Sequence, residues 1–358
     1  MSETNRFTTP RHTLRLPLGT ETMQLHEAAR HRRITRILED RFEGWGYTPV
    51  ETPLVDYVEI YRPLLSEASM RDTYRTVDRQ GEILAVRSDI TLFLAKQLGL
   101  HLCAEELPVR VWYSDQIVRA EAEDEIARNE YQQAGLELVG LTGIEAEAEV
   151  ILILQETLAA LGLEDAVIHL GTHRVVAAVA GEHGIGDDRT ALMDLIDRIR
   201  HRRPVAEGCG FTAQEEELLR FIGSIGAFRK NLKRWDLSAA VRGAAQELVD
   251  LGDLLDERPA VRIDTSELGA HDYYTGISFG AYHHGSTAAI ARGGRYDSLL
   301  GYFGFDAPSV GFSMFTRKLP RSVQSTNGRE SVAAAGETFR DRVAAARGAH
   351  RAGARVHL

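Results

Sequence analysis

The chain has 358 residues, 44% hydrophobic and 26% charged, with a formal net charge of -10. That length allows one large domain or two ordinary ones with a sizeable core, and the acidic balance argues against nucleic acid as the main partner, because binding a phosphate backbone wants concentrated positive charge. Two cysteines, Cys103 and Cys209, with no CxxC spacing, speak against a disulfide framework and a cysteine-ligated metal.

The opening "MSETNRFTTPRHTLRLP" lacks the apolar core of about 7–15 residues that a secretion signal needs. Nowhere does an uncharged apolar run reach bilayer length, so a cytoplasmic protein is expected. Residues 25 to 43 read as a helix, with Ile34, Ile37, Leu38 and Phe42 on one face, and "GWGY" at 44 to 47 ends it. "TPVETPLVDY" is extended, constrained by Pro49 and Pro53. "TYRTVD" and "EILAVRSD", joined by "RQG", form an expected antiparallel hairpin that puts Arg87, Asp89 and Thr91 on one side of an extended strand. Residues 91 to 99 look helical. A second hairpin pairs "LPVRVWYSDQIVRAEA" with "NEYQQAGLELVG" across the acidic stretch "EAEDEIAR". A helix at about 145 to 160 and a short strand, "AVIHLG", follow. Residues 172 to 255 are mainly helical in pattern, broken at "GEHGIGDD". From 260 to 319 strands and glycines return, and residues 320 to 358 form a short arm, with a terminal helix on a flexible connection expected. The arm falls short of the about 50 residues of a small domain.

The side chains in these hairpins suggest a zwitterion site. Arginine offers a fixed donor fork for a carboxylate or phosphate, glutamine both donates and accepts, and a carboxylate receives ammonium or imidazole N–H groups. Asp89, Thr91, Arg119, Gln133 and Glu137 suit an amino acid, although the same residues also read as solvated strand positions. Arg119 and Glu121 alternate to one strand face, as do Gln133 and Glu137. Tyr273 and Tyr274, if on a strand, diverge to opposite faces, one into a core and one toward a pocket. Gly293 and Gly294 permit a close ligand approach or a bulge, and "GGRYD" has neither the spacing nor the lysine of a phosphate-binding loop. His101, His169, His173, His283 and His284 form no metal pattern, and no serine or cysteine nucleophile has an evident activating partner. No metal and no cofactor are expected.

Taken together, "GYTPVETP", "AVRSDIT", "IVRAEAEDEIARNEYQQAGLELVG", "AHDYYTGISF", "ARGGRYD" and "SVGFSMF" resemble, in order and over about 300 residues, the catalytic core of histidyl-tRNA synthetase, a class II aminoacyl-tRNA synthetase. The resemblance implies an α+β fold: an antiparallel sheet flanked by helices over residues 1–319, with a mainly helical insertion at about 172–255 and no anticodon-binding domain. It implies a dimer interface at Pro53, ammonium contacts from Asp89, Thr91 and Gln133, imidazole recognition by Glu137, and pocket tyrosines at Tyr274 and Tyr296. Asp89 is one methylene shorter than the family's glutamate. Arg119 matches the first of the arginines that activation requires around the carboxylate and ATP phosphates.

Other activating residues are missing. Ala127 and Asn129 stand where family arginines are expected, with Arg128 one register away. Gly269 replaces a catalytic arginine, the nearby His271 is shorter and often neutral, and Arg317 and Lys318 replace a Glu-Arg pair. This combination is similar to the ATP phosphoribosyltransferase regulatory subunits of histidine biosynthesis. The resemblance then implies a non-catalytic chain that self-associates at least as a dimer, joins the short catalytic subunit, activates it and takes part in histidine feedback; tRNA binding is not expected. Two alternatives remain: an enzyme activating an amino acid for a non-tRNA acceptor, which ATP–pyrophosphate exchange would reveal, and a tRNA or translation-factor binding module.

Overall fold

A long amphipathic helix, α1 (Leu25–Gly44), buries Ile34, Leu38 and Phe42 and tucks the partly buried Ile37 against the same core. The chain leaves it through Gly46 at φ 81°, a left-handed turn that favours glycine. The computed structural model describes residues 16–17, 19–20, 22–120, 129–205, 210–255, 257, 259–269, 273–284, 288–320 and 323, and in the tail 332–333, 335, 341, 345 and 356–357. Met1–Val323 forms one compact unit and Gln324–Leu358 another.

The strands of the first unit are β1 (Thr48–Pro49), β2 (Val55–Tyr57), β3 (Arg75–Val77), β4 (Ile83–Val86), β5 (Val109–Val118), β6 (Glu130–Val139), β7 (Val167–Thr172), β8 (Ile222–Ser224), β9 (Ala260–Asp264), β10 (Ile277–Tyr282), β11 (Ala291–Arg295) and β12 (Ser309–Phe315). Its further helices are α2 (Val58–Tyr61), α3 (Glu67–Asp72), α4 (Ile90–His101), α5 (Ile144–Ala160), α6 (His173–Glu182), α7 (Arg189–Arg200), α8 (Ala213–Leu219), α9 (Ile225–Arg234) and α10 (Ala239–Gly252).

Among the described residues, nine strands make the main sheet in the order β1-β5-β6-β12-β11-β10-β7-β9-β8. It is antiparallel except where β1 meets β5 and β7 meets β9. A small antiparallel sheet, β2-β4-β3, stands apart. The expected first hairpin is there as β3 and β4, but the strand stops at Val86 rather than running to Asp89. Asp89 caps α4 instead, accepting from the Leu92 N–H at 3.3 Å, and Thr91 lies in the first helical turn. A capping carboxylate satisfies an otherwise orphaned helix donor, so helix entry displaced the strand alternation read from the sequence.

Alternation does hold in β6. Ala134, Leu136 and Leu138 join α1, α5, Phe312 and Met314 in the large apolar cluster, while Gln133 and Glu137 bond to α4 on the other face. Phe42 meets Phe312 edge-on at 5.8 Å, fixing α1 to that back face. Between β7 and β9, the described residues form five helices besides β8, which returns to the sheet edge. Hydroxyl or carboxylate caps begin these helices at Thr172, Asp188, Thr212, Ser224 and Ser238, which explains why this stretch read as helical. In the second unit, Val332–Ala333 pairs in parallel with Val356–His357, and Asp341 and Ala345 are helical. Among the described residues, no helix is long and apolar enough to cross a membrane.

Candidate functional site

Glu137 is the centre of a buried hydrogen-bond cluster. It rises from β6 into a cavity of about 180 Å³ and is 2% exposed. Its carboxylate accepts from Thr91 Oγ1 at 2.7 Å, from the Tyr113 hydroxyl at 3.3 Å and from the Tyr296 hydroxyl. Burial pushes the carboxyl up to about 8; the Tyr296 and Thr91 hydroxyls oppose this, and the nearby Asp89 charge adds to it. Gly311 makes the cluster possible. A Cβ there would stand 1.6 Å from Glu137 Oε2.

Asp89, at the start of α4, forms the second polar wall. Its Oδ2 accepts from Gln133 Nε2 at 3.1 Å and from Arg119 Nη2 at 3.2 Å. Gln133 is fully buried and does not line the cavity; its Oε1 accepts from the Ile90 N–H at 2.9 Å. Gln133 therefore positions Asp89 and the helix start. Arg119 also donates to the Ser88 carbonyl at 2.7 Å and lies 5.1 Å over the Phe315 ring. Arg87 turns elsewhere, donating to Thr52, Gln116 and Asp115. It is a structural tie between segments rather than a member of the site.

Tyr273 sits in a turn and Tyr274 in the irregular stretch before β10, neither on a strand, and both line the cavity with Tyr296. Their rings are 5.1 Å apart, so they do not diverge as alternation required. The paired glycines explain the fit: Cβ atoms at Gly294 and Gly293 would meet the Tyr274 and Phe279 rings at 2.8 and 2.4 Å. They admit aromatic rings over a regular strand, and β11 contains no bulge at this point. The cavity thus gathers Asp89, Thr91, Arg119, Glu137, Tyr274 and Tyr296, with Gln133 behind them.

The positions where the resemblance expects further cations are built differently. Gly269 adopts φ 67°, and a Cβ there would lie 2.6 Å from the Tyr274 ring. Lys318 Nζ lies 5.0 Å above Phe315 and 5.2 Å above Tyr131, so the ammonium rests on the aromatic platform. Asn129 is buried; its Nδ2 donates to the Tyr74 hydroxyl at 2.7 Å. Glu121, Ala127, Arg128 and His271 lie outside the described residues, as does Cys209. Pro53 lies on the surface next to exposed Leu54, Val55 and Tyr57. Among the described histidines, His169 bonds to Asp264 at 3.0 Å and His173 to the Leu268 carbonyl at 2.6 Å. No group of three metal-ligating side chains occurs among the described residues.

Sequence reasoning missed Tyr113, Gly311 and Arg292, all of which belong to the cavity or its hydrogen bonds. Tyr113 was hidden in an apolar strand. Gly311 did carry a signal, since glycine inside a strand marks close approach. Arg292 was visible within "ARGGRYD" but overshadowed by the glycines.

The family model described as histidyl-tRNA synthetase matches residues 19–319. The ATP phosphoribosyltransferase regulatory subunit of Moorella thermoacetica is 30% identical over 316 residues, covering 86% of this chain and 81% of its own. That of Anaeromyxobacter dehalogenans is 32% identical over 352 residues, covering 96% and 99%. A crystal structure of an ATP phosphoribosyltransferase regulatory subunit/histidyl-tRNA synthetase from Bacillus halodurans has the same fold, with a TM-score of 0.81 at 24% identity, covering 96% of this chain and 92% of its own. The chain belongs to the ATP phosphoribosyltransferase regulatory-subunit family, paralogous to histidyl-tRNA synthetase, on the class II synthetase-like α+β fold.

Proposed function

We propose that this chain is a non-catalytic regulatory subunit that activates the short ATP phosphoribosyltransferase catalytic subunit, in the first step of histidine biosynthesis, and that histidine acts through the cavity around Glu137. The observation that carries this reading is the uneven state of one site. Thr91, Tyr113 and Tyr296 hold a buried carboxylate, and Gln133 and Arg119 hold Asp89. Meanwhile Gly269 and Lys318 occupy positions where charge accumulating during amino-acid activation would need guanidinium groups. Such a site suits recognition of an imidazole and an ammonium without adenylation.

The proposed mechanism is a population shift. The regulatory chain favours an active arrangement of its catalytic partner, and histidine binds the inhibited assembly more tightly. Linkage requires partner occupancy to change histidine affinity by the same factor. Self-association, at least as a dimer, is assigned to the Pro53 face. Exposed Leu54, Val55, Tyr57, Val77 and Ile83 on or beside the small sheet support it, since exposed apolar side chains gathered on one small sheet suit an interaction site.

The test mixes this chain with the purified short catalytic subunit and follows phosphoribosyl transfer to ATP. Stimulation that histidine suppresses is expected. Two folded chains that neither associate nor change activity would sink the assignment. Amino-acid-dependent ATP–pyrophosphate exchange by this chain alone would then favour the synthetase-like alternative.

A further inference from the structure

The loss at Gly269 raises a chemical problem for any amino-acid ligand. Glu137 answers an imidazole and Asp89 an ammonium, but the ligand's carboxylate needs a cation. Among the described residues, three cationic side chains line the cavity: Arg119, Arg292 and Lys318. Arg119 already serves the Ser88 carbonyl and Asp89 and stacks over Phe315. Lys318 lies over two rings. Arg292 is differently placed. Its Nη1 donates to Glu267 Oε1 at 3.0 Å, and its side chain is 36% exposed.

The support beneath Arg292 is built rather than incidental. Glu267 is 6% exposed and also accepts from the Tyr282 hydroxyl at 2.5 Å. Gly280, the cross-strand neighbour of Arg292, leaves the space, since a Cβ there would come within 2.9 Å of Glu267 Oε2. Glu267, which Arg292 bonds from β11, lies two residues before Gly269 in the chain. Arg292 lines the same cavity as Tyr274 and as the carboxyl groups of Asp89 and Glu137.

We propose that Arg292 is the carboxylate anchor of the site, presenting its guanidinium to an α-amino acid where Gly269 presents nothing, with Glu267 as its positioning residue. This rests on the reading of the cavity as a histidine site. One guanidinium edge is spent on Glu267, and the remaining donors face a carboxylate, the planar anion that arginine matches best.

Calorimetry on the full chain tests this with two ligands: histidine, and histamine, which keeps the imidazole and ammonium but lacks the carboxylate. Wild type is expected to prefer histidine by about tenfold or more, the scale of a charge-assisted hydrogen bond. Arg292→Met should weaken histidine to the level of histamine and leave histamine within about twofold of wild type on the same scale. Arg292→Lys should recover part of the preference. Retained preference in Arg292→Met would overturn the anchor while leaving the histidine site standing. Equal binding of both ligands by wild type would also overturn it, and needs no variant to fold. Binding of neither ligand would remove the histidine site itself and the anchor with it.

Discussion

The two ends of the cavity are built on opposite principles. At the buried end, Glu137, Thr91, Tyr113 and Tyr296 are each less than 9% exposed and bonded to one another. At the open end, Arg119 and Lys318 lie on aromatic rings, and Gly269 contributes no side chain. The buried end is preorganised around one carboxylate; at the open end Arg119 and Lys318 are engaged by the protein itself. Under the proposed reading, a site that keeps the first and alters the second serves recognition of a side chain rather than a reaction. That contrast can be broken or sharpened by substitution.

The largest effect is expected beneath the buried end. Arg295, which precedes Tyr296, forms a bidentate pair with Glu147, at 2.5 and 2.6 Å, and is 1% exposed. Removing one partner strands a buried charge, so Arg295→Met should cost about 3–5 kcal/mol in urea unfolding. A loss below about 1 kcal/mol, the range of an exposed pair, would mean that the sheet beneath Tyr296 is not held this way.

Next comes Glu137→Gln, expected to weaken histidine by about tenfold or more, since it removes a charge-assisted bond. The pH dependence sharpens this. The unliganded carboxyl holds its proton up to about 8, while free imidazole loses its own near about 6.5. The bound pair shares one proton; the free pair holds two below the lower value, one between and none above. Affinity should therefore peak between the two values and fall on either side. The same shift has a stability sign. Because folding raises this carboxyl's pKa, the native state binds more protons than the unfolded chain, and stability from this group falls as pH rises through the window up to about 8. Glu137→Gln should thus gain stability over wild type at pH above that value and lose the advantage in mild acid, readable from melting curves across pH.

Smaller effects belong to the open end. Gly269→Arg should cost about 1–3 kcal/mol, because a side chain at positive φ meets the Tyr274 ring, and it should yield no ATP–pyrophosphate exchange. Appearance of exchange would mean that a single cation separated this chain from catalysis. Lys318→Met should change stability by under about 1 kcal/mol, the range of an exposed cation–π contact, and leave histidine affinity unaltered.

Much of this architecture was legible from local pattern. The α1 face, both hairpins and the helical stretch after β7 followed from periodicity, turns and caps, which act within a few residues. Thr91 and Tyr274 were assigned to the cavity, and Thr91 to a helix, while the strand alternation used to aim them did not hold. Asp89 turned the chain into α4, and Tyr273 and Tyr274 lie off-strand before β10 instead of splitting across a strand. What stayed hidden depended on strands distant in sequence. Gly311 matters only because β12 lies beside β6, and Arg292 only because Glu267 approaches β11 from the preceding segment. Such cross-strand spacing has no signature in either stretch alone.

The most direct test compares histidine inhibition of the catalytic partner assembled with wild-type chain and with Glu137→Gln. The account predicts that both chains stimulate phosphoribosyl transfer, that histidine suppresses the wild-type assembly, and that the variant assembly needs about tenfold or more histidine for the same suppression. Equal histidine sensitivity in two equally active assemblies would contradict it and move feedback away from this cavity.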